Sequence, residues 1–452
     1  MKTEKDKKID LRVAIISDVH IGFTGHINEN YYGLGQIGDQ DKWWEYALRY
    51  FKAKGVDVVV VPGDMANATD YSIPGWSAKY AMEEMSRCGE IFRKVFFDTD
   101  VELVCVYGNH DYHAQRLEKA YGGDKTPWKD AFNADFEPVF CKNIKGYSFV
   151  GVHWGEEKNA KQITAQAVKN SPDKPVFYIQ HGQIKNTTCD TYDEKLNEDA
   201  GYQNVAEYEN IIALFGHTHR PITDEGTIWQ ADDDAGAKCT VVSCSTFNYA
   251  HDELLIQGEN LMTKHALYLT VSGKDINIER LSFYTPEMLA LAKGEKTEQT
   301  MGACTRSAGL DWSFTLGGER VMSFERRKRL SVAPEFSENA VAGLSRADNF
   351  VVVSFPSAIP PKQANNLRGY FVEAWKDGAD TPVSTAEIRT ESHIDATAEH
   401  FSDFYHVVVP NLEPNTEYTF KVYALDCFNN LSRKPLVHKG KTLHLPYQGR
   451  LR

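Results

Sequence analysis

Residues 211–221 read IIALFGHTHRP, and the fold can be worked out from this stretch. Five apolar residues in a row, Ile211 to Phe215, have the length of a strand. They lack the alternation expected when one face meets water, so the strand is read as buried on both faces. The run halts at Gly216, two histidines follow two positions apart, and Pro221 ends the segment. A buried strand that opens onto two imidazoles prompts a search for other strands that end in the same way.

Four others do. LRVAIISDVH (11–20) ends on Asp18 and His20, VDVVVVPGD (56–64) on Asp64, VELVCVYGNHD (101–111) on Asn109, His110 and Asp111, and PVFYIQHG (175–182) on His181. YSFVGVHWG (147–155) and KCTVVSCSTF (238–247) add two more apolar runs that lead into polar residues. Helices fall between them. In DKWWEYALRYFKAKG (41–55), Trp44, Ala47, Leu48 and Phe51 recur at helical spacing and Gly55 supplies the C-terminal cap. YAMEEMSRCGEIFRKVF (80–96) is a second amphipathic helix. Buried strands alternating with helices predict a layered α/β architecture, and the site of such a fold lies beyond the carboxyl ends of its strands.

A length of 452 residues exceeds one ordinary core and predicts two or three domains. The first spans 1–284. A connector over 285–334 holds a short helix in TPEMLALAKGEKTEQT and the basic patch ERRKRL. Over 335–446 strands recur without helices: NFVVVSFP, RGYFVEAWK, YHVVVPNL, EYTFKVYALD and KTLHL predict an all-β sandwich. Within it, NLEPNTEYTFKVYALD (411–426) resembles the tyrosine-corner segment of fibronectin type III domains, with Phe355 where that family usually carries tryptophan. A sandwich of this kind implies a docking face for a protein or carbohydrate partner, or a brace for the catalytic domain.

A net charge of −13 argues against general nucleic-acid binding, which uses basic stripes. It leaves an anionic substrate open, because bound cations reverse the local sign. The eight cysteines form no C-x-x-C pair and read as free, mostly buried thiols. The opening MKTEKDKKID lacks an apolar signal core, and no run is long enough to span a bilayer. The expected location is the cytoplasm, or outside it if a leader has been removed.

Taken together, the strand ends describe a metal centre. Asp18 and His20, two apart in extended backbone, project to the same side about 6–7 Å apart and can serve one ion. His217 and His219 can straddle two ions about 3.5–4 Å apart, which need a shared carboxylate, Asp64, to bridge them. A lone histidine at a strand end is commonly a surface or capped residue, and His153 takes that reading. Five such endings in order do not.

This ordered set resembles the calcineurin-like metallophosphoesterase superfamily, whose pattern D-x-H, G-D, G-N-H-[DE], H, G-H-x-H runs unbroken over about residues 11–282. The resemblance implies a four-layer β-sandwich flanked by helices. It implies that Asp18, His20, Asp64 and His219 hold one metal, and that Asp64, Asn109, His181 and His217 hold the second. His110 would be the proton donor, held by Asp111 behind it. His181 is preferred to His153 for the fourth block because VFYIQ closes a cleaner strand.

The expected cofactors are two divalent or trivalent ions (Mn, Fe or Zn), given oxygen and nitrogen ligands without cysteine. Two cations neutralise the oxygens of a phosphate ester and lower the pKa of the water they share enough to supply hydroxide near neutral pH. In-line attack expels an alkoxide, which protonated His110 receives and neutralises. Purple acid phosphatases, a branch of the superfamily, carry a tyrosine three residues after the bridging Asp. Asn67 stands there and argues against a tyrosinate–iron centre.

The compact spacing resembles the cyclic-nucleotide phosphodiesterase branch, so the expected substrate is a small phosphate diester or nucleotide. A monoesterase is the near alternative, and a silent scaffold that binds through the sandwich is the alternative of another class. Tyr112, His113, Trp154 and Arg220 adjoin the motif blocks, and Tyr31, Tyr32 and Trp76 lie in insertions that can cap a pocket. ADDDAG (231–236) reads as a solvated turn.

Overall fold

A computed structural model describes residues 8–22, 40–67, 76–121, 126–188, 200–232, 236–250, 261–283, 306–307, 309–359, 367–390 and 402–444. Tyr31, Tyr32, the helix expected within 285–300 and the centre of ADDDAG lie outside these residues, as do the side chains of Trp76 and His113. The described residues divide into two compact units, 8–327 and 328–444.

In the first unit, β1 (Leu11–Ile15), α1 (Gln40–Ala53), β2 (Val58–Val61), α2 (Trp76–Phe96) and β3 (Glu102–Cys105) make a parallel β-α-β-α-β run. The helices α3 (Tyr112–Tyr121) and α4 (Pro127–Phe132) follow. A second run comprises β4 (Val139–Ile144), β5 (Tyr147–Val152), α5 (Lys161–Asn170), β6 (Val176–Ile179), α6 (Ala200–Val205), β7 (Ile211–Phe215), β8 (Ile228–Trp229) and β9 (Thr240–Ser243). The short pair β10 (Tyr249–Ala250) and β11 (Leu261–Met262) comes next. β12 (His265–Ser272) returns antiparallel to β1 and pairs with β13 (Asp275–Ser282), whose far edge takes β14 (Arg306–Ser307) and β15 (Trp312–Thr315). Residues 306–307 and 312–315 of the expected connector thus belong to this sheet. The helix α7 (Phe324–Leu330) contains the whole ERRKRL patch, and Arg327 within it is spoken for: its guanidinium ion-pairs with Glu225 and donates to the Ile228 carbonyl at 3.0 Å.

One sheet runs β14-β13-β12-β1-β2-β3, the other β4-β5-β6-β7-β9-β8. Strand alternation sorts the apolar residues into layers. Ala14, Val59 and Val61 pack with Trp43, Trp44, Leu48, Phe51, Met85 and Cys88 of α1 and α2. Val150, Tyr178, Ile211 and Ala213 pack with Ala160, Ala167 and Val205 on the α5–α6 side. The alternate residues (Val13, Ile15, Val58 and Val60 in one sheet; Phe149, Phe177, Ile212 and Leu214 in the other) are also fully buried and form the layer between the sheets. The order is helix, sheet, sheet, helix. This explains why the strands read as unbroken apolar runs: each is covered on both faces. No helix among the described residues is long and apolar enough to cross a membrane.

The second unit is an antiparallel sandwich. β16 (Gly343–Arg346), β17 (Val351–Pro356), β18 (Leu367–Lys376), β19 (Ser384–Arg389), β20 (Phe404–Val409), β21 (Glu417–Asp426) and β22 (Leu436–Lys441) form sheets of order β16-β17-β20 and β19-β18-β21-β22. Phe355 fills the core against Tyr370, with ring centroids 4.8 Å apart. The Tyr418 hydroxyl accepts the Glu413 N–H at 2.8 Å, the hydrogen bond of a tyrosine corner.

Candidate metal centre

All five motif blocks leave the carboxyl ends of parallel strands, three in the first sheet and two in the second. The strands stop earlier than the extended spacing assumed. β1 ends at Ile15 and β7 at Phe215, and the residues that follow turn left-handed: φ is 53° at Asp18, 50° at His20, 51° at Asp64, 67° at His217 and 50° at His219. Asp18 and His20 therefore converge through a coiled loop, not through strand alternation.

Such conformations cost roughly 1–3 kcal/mol each for residues with a Cβ and persist only where surroundings hold them. Here the loops hold one another. The Asp18 N–H donates to the Gly63 carbonyl (3.2 Å), the His20 N–H to the Asp64 carbonyl (3.0 Å) and the Ile21 N–H to the Met65 carbonyl (2.8 Å). The His217 N–H donates to the Asp18 carboxylate at 3.1 Å.

The side chains meet as two groups that share Asp64. In the first, single donor atoms of Asp18, His20, Asp64 and His219 all lie within 4.8 Å of one another, and all four residues are buried. His219 Nε2 lies 2.9 Å from Asp18 Oδ1 and 3.2 Å from His20 Nε2. In the second, Asn109 Oδ1 sits 3.0 Å from His181 Nε2 and 2.9 Å from His217 Nδ1, while His181 Nε2 is 3.2 Å from Asp64 Oδ2. His110 stands over both: its N–H donates to Asp64 Oδ1 (2.9 Å), and its Nε2 lies 3.8 Å from Asp64 Oδ2.

The donor set fits metal ions. His219 donates Nδ1–H to the Tyr249 carbonyl and His181 donates Nδ1–H to the Pro62 carbonyl, both at 2.7 Å. Each bond sets the tautomer that turns an Nε2 lone pair toward the centre, as outer hydrogen bonds do for ligating histidines. Burial, and next the neighbouring His110, hold the His20 imidazole well below its ordinary range and so neutral. For Asp64, burial works to raise the carboxyl, but the surrounding His181, His110 and His20 outweigh it and keep it well below the usual range, ionised. His181 goes the other way: burial works to lower it, but the Asp64 carboxylate beside it outweighs burial and raises it to about 9. Imidazole and carboxylate donors with no thiolate suit Mn, Fe or Zn.

Other expected residues take different places. Asp111 does not sit behind the His110 ring. Its carboxylate accepts the N–H groups of Met65 (3.2 Å), Ala66 (2.8 Å) and Gly108 (2.9 Å), and so ties the second block to the third. Burial and then repulsion from Asp64 push it up to about 7. The His110 Nδ1 faces the Asn67 carbonyl at 3.4 Å.

His153 is a core residue. It accepts the Tyr107 N–H at 2.9 Å among the rings of Tyr107, Trp128 and Phe136, and burial lowers it to about 3. Arg220 is engaged by Asp224 and the Thr188 carbonyl. Trp154 does reach the rim, with its ring 5.6 Å from that of His181 and 5.3 Å from that of His217. Tyr112 opens α3 and carries the Arg116 guanidinium over its ring.

Sequence reasoning did not single out segment 244–250 as part of the centre. The Cys244 N–H binds the Phe215 carbonyl, the Phe247 N–H binds the Ser17 carbonyl, Thr246 Oγ1 binds the Asp18 carbonyl and the Tyr249 carbonyl binds His219. The segment works mainly through backbone atoms, which leave no residue signature. The only available cue was that CSTF follows a buried strand, as the five motif blocks do.

The fold is two sheets between helices, with a carboxylate–imidazole centre at the strand ends. The family model that matches is calcineurin-like phosphoesterase, over residues 11–221. Residues 11–221 are similar to that family, and the buried group of Asp18, His20, Asp64 and His219 fits a metal site. No curated protein matches the chain. Among solved structures it is similar to a purple acid phosphatase from yellow lupin (Lupinus luteus) seeds, at 11% identity and TM-score 0.40, covering 70% of this chain and 56% of that one. The chain thus spans about half the length of that phosphatase. It is also similar to PhoD, at 10% identity and TM-score 0.44, covering 69% and 72%. A third likeness is to Vps29 from Entamoeba histolytica, at 11% identity and TM-score 0.31, covering 68% and 100%.

Proposed function

We propose that the protein is a dinuclear metal-dependent phosphoesterase acting on small phosphate diesters or nucleotides. The observation that carries this is the sharing of Asp64: one ionised carboxylate lies between a group of Asp18, His20 and His219 and a group of Asn109, His181 and His217. Two ions held there would neutralise the phosphoryl oxygens and lower the pKa of water enough to make it a nucleophile near neutral pH.

The chain's own residues supply the rest. Asp64, Asp18 and the imidazoles orient the centre, and the left-handed loops keep it preorganised. His110, 13% exposed and set above Asp64, is positioned to protonate the departing alkoxide through Nε2, with Nδ1 facing the Asn67 carbonyl. Trp154, half-buried over His181 and His217, offers an apolar face to the organic group of the ester. That aromatic face favours a diester or nucleotide over a bare monoester. The C-terminal unit, with its tyrosine corner, is read as fibronectin type III-like, with a protein or carbohydrate as the kind of partner it would dock.

The test is turnover of bis-p-nitrophenyl phosphate and p-nitrophenyl phosphate by metal-stripped protein reloaded with Mn, Zn or Fe. Faster metal-dependent cleavage of the diester is expected, abolished in Asp64→Asn. Preference for the monoester would make the protein a phosphomonoesterase. Two bound ions without turnover of either ester would leave a silent scaffold.

A further inference from the structure

Behind the first metal group lies a polar chain that belongs to none of the five motif blocks. Gln40, the first residue of α1, is 3% exposed and sends its side-chain amide inward. Its Nε2 donates to the Val19 carbonyl at 2.6 Å and to the Phe247 carbonyl at 3.0 Å. Its Oε1 accepts from Lys264 Nζ at 2.7 Å. Lys264 is fully buried, with Nζ 5.4 Å from the Trp43 ring centre and 5.8 Å from that of Phe247.

Val19 stands between the ligands Asp18 and His20, both left-handed. The three carbonyls of Ser17, Asp18 and Val19 are each taken: by the Phe247 N–H (2.8 Å), Thr246 Oγ1 (3.3 Å) and Gln40 Nε2. The first two donors come from one segment. Gln40 ties the ligand loop to that segment and to α1 at once. A side-chain amide is the only neutral group of this size that can donate two hydrogen bonds from one end while accepting at the other. Burying a lysine costs several kcal/mol unless something is gained in return. Among the described residues its Nζ hydrogen-bonds to the oxygen that decides which way the Gln40 amide faces.

We propose that Gln40 is a positioning residue for the first metal site, with its amide oriented by Lys264 so that it fixes the Val19 carbonyl and thereby the spacing of Asp18 and His20. The proposal rests on the metal-centre reading above. It assigns a role in metal affinity to two residues outside the family's motif blocks.

Gln40→Glu tests it. The carboxylate still accepts from Lys264, as an ion pair, but it has no N–H for Val19 or Phe247. Manganese titration of metal-stripped full-length protein, followed by calorimetry and by the electron paramagnetic resonance of free Mn, reads each site. Wild type is expected to bind two ions. Gln40→Glu is expected to fold with a lowered thermal midpoint and to lose about 10–100-fold in affinity at one site only, the usual effect of removing an outer-sphere support.

Two sites of unchanged affinity in a folded Gln40→Glu would overturn the proposal, and so would equal weakening of both. If Gln40→Glu does not fold, the double variant Gln40→Met with Lys264→Met removes both polar groups together, and the same one-site loss is required of it. A wild type that binds no Mn, Zn or Fe would instead refute the metal-centre reading itself.

Discussion

Gly108 is the sharpest place to test the geometry. It opens the GNHD block, and its φ is ordinary, so nothing in its backbone requires glycine. Space does. A Cβ at Gly108 would stand 2.1 Å from Asp64 Oδ1, 2.5 Å from the Asp64 backbone nitrogen and 2.8 Å from the Asp64 carboxyl carbon. Ordinary contact begins near 3.4 Å, so Gly108→Ala must move either the Asp64 backbone or its carboxylate by about 1 Å. The backbone cannot yield easily, because the Asp64 carbonyl is held by the His20 N–H and the neighbouring residues by Asp111.

Overpacking of this kind costs about 1–3 kcal/mol of stability, and a 1 Å misplacement at a reacting centre costs on the order of 100-fold in rate. Diester turnover and Mn stoichiometry should be measured on Gly108→Ala beside Gly343→Ala, where an added Cβ meets nothing within 4 Å. The expectation is a folded Gly108→Ala with turnover down by about 100-fold and weakened metal binding, and an unaltered Gly343→Ala. A Gly108→Ala protein that binds two ions and turns over within about threefold of wild type would show that Asp64 is not placed as described.

Burial holds the Lys264 amine well below the ordinary lysine range. Between that lowered pKa and the unfolded value the unfolded chain binds more protons, so this residue makes stability rise with pH. Urea unfolding should show wild type gaining on Lys264→Met as pH rises toward 10.5, by at most about 1.4 kcal/mol per pH unit, and a pH-independent difference would contradict the burial. His153→Phe leaves the Tyr107 N–H without its acceptor and should cost about 1–3 kcal/mol while both metal sites remain; loss of a bound ion would return His153 to the ligand set. Tyr418→Phe removes the acceptor of the Glu413 N–H in the second unit, and should lower that unit's unfolding midpoint by the equivalent of about 1 kcal/mol without changing turnover.

The strands were legible because each is covered on both faces, which leaves an unbroken apolar run whatever it packs against. The residues of the centre were legible because few residue types suit metal binding and because the chain places them at strand ends, a local feature. Asp18, His20, Asp64, Asn109, His110, His181, His217 and His219 all lie at one rim for that reason. Roles that depend on what a side chain faces were not legible. His153 and His181 both follow buried strands, yet one faces four aromatic rings and the other faces Asp64. Asp111 follows His110 in sequence, but its carboxylate turns to amides some 45 residues upstream.

What the sequence by itself determined, then, is the alternation of strand and helix, the order of the motif blocks and the residue types gathered at the strand ends. Periodicity and side-chain chemistry are written residue by residue. The tertiary structure alone decided that the ligand loops are left-handed, that Asp64 serves both groups and that Gln40, Lys264 and Tyr249 stand behind them. Those features come from contacts between residues as much as 224 positions apart and largely from backbone carbonyls, which every residue carries and no local pattern can distinguish.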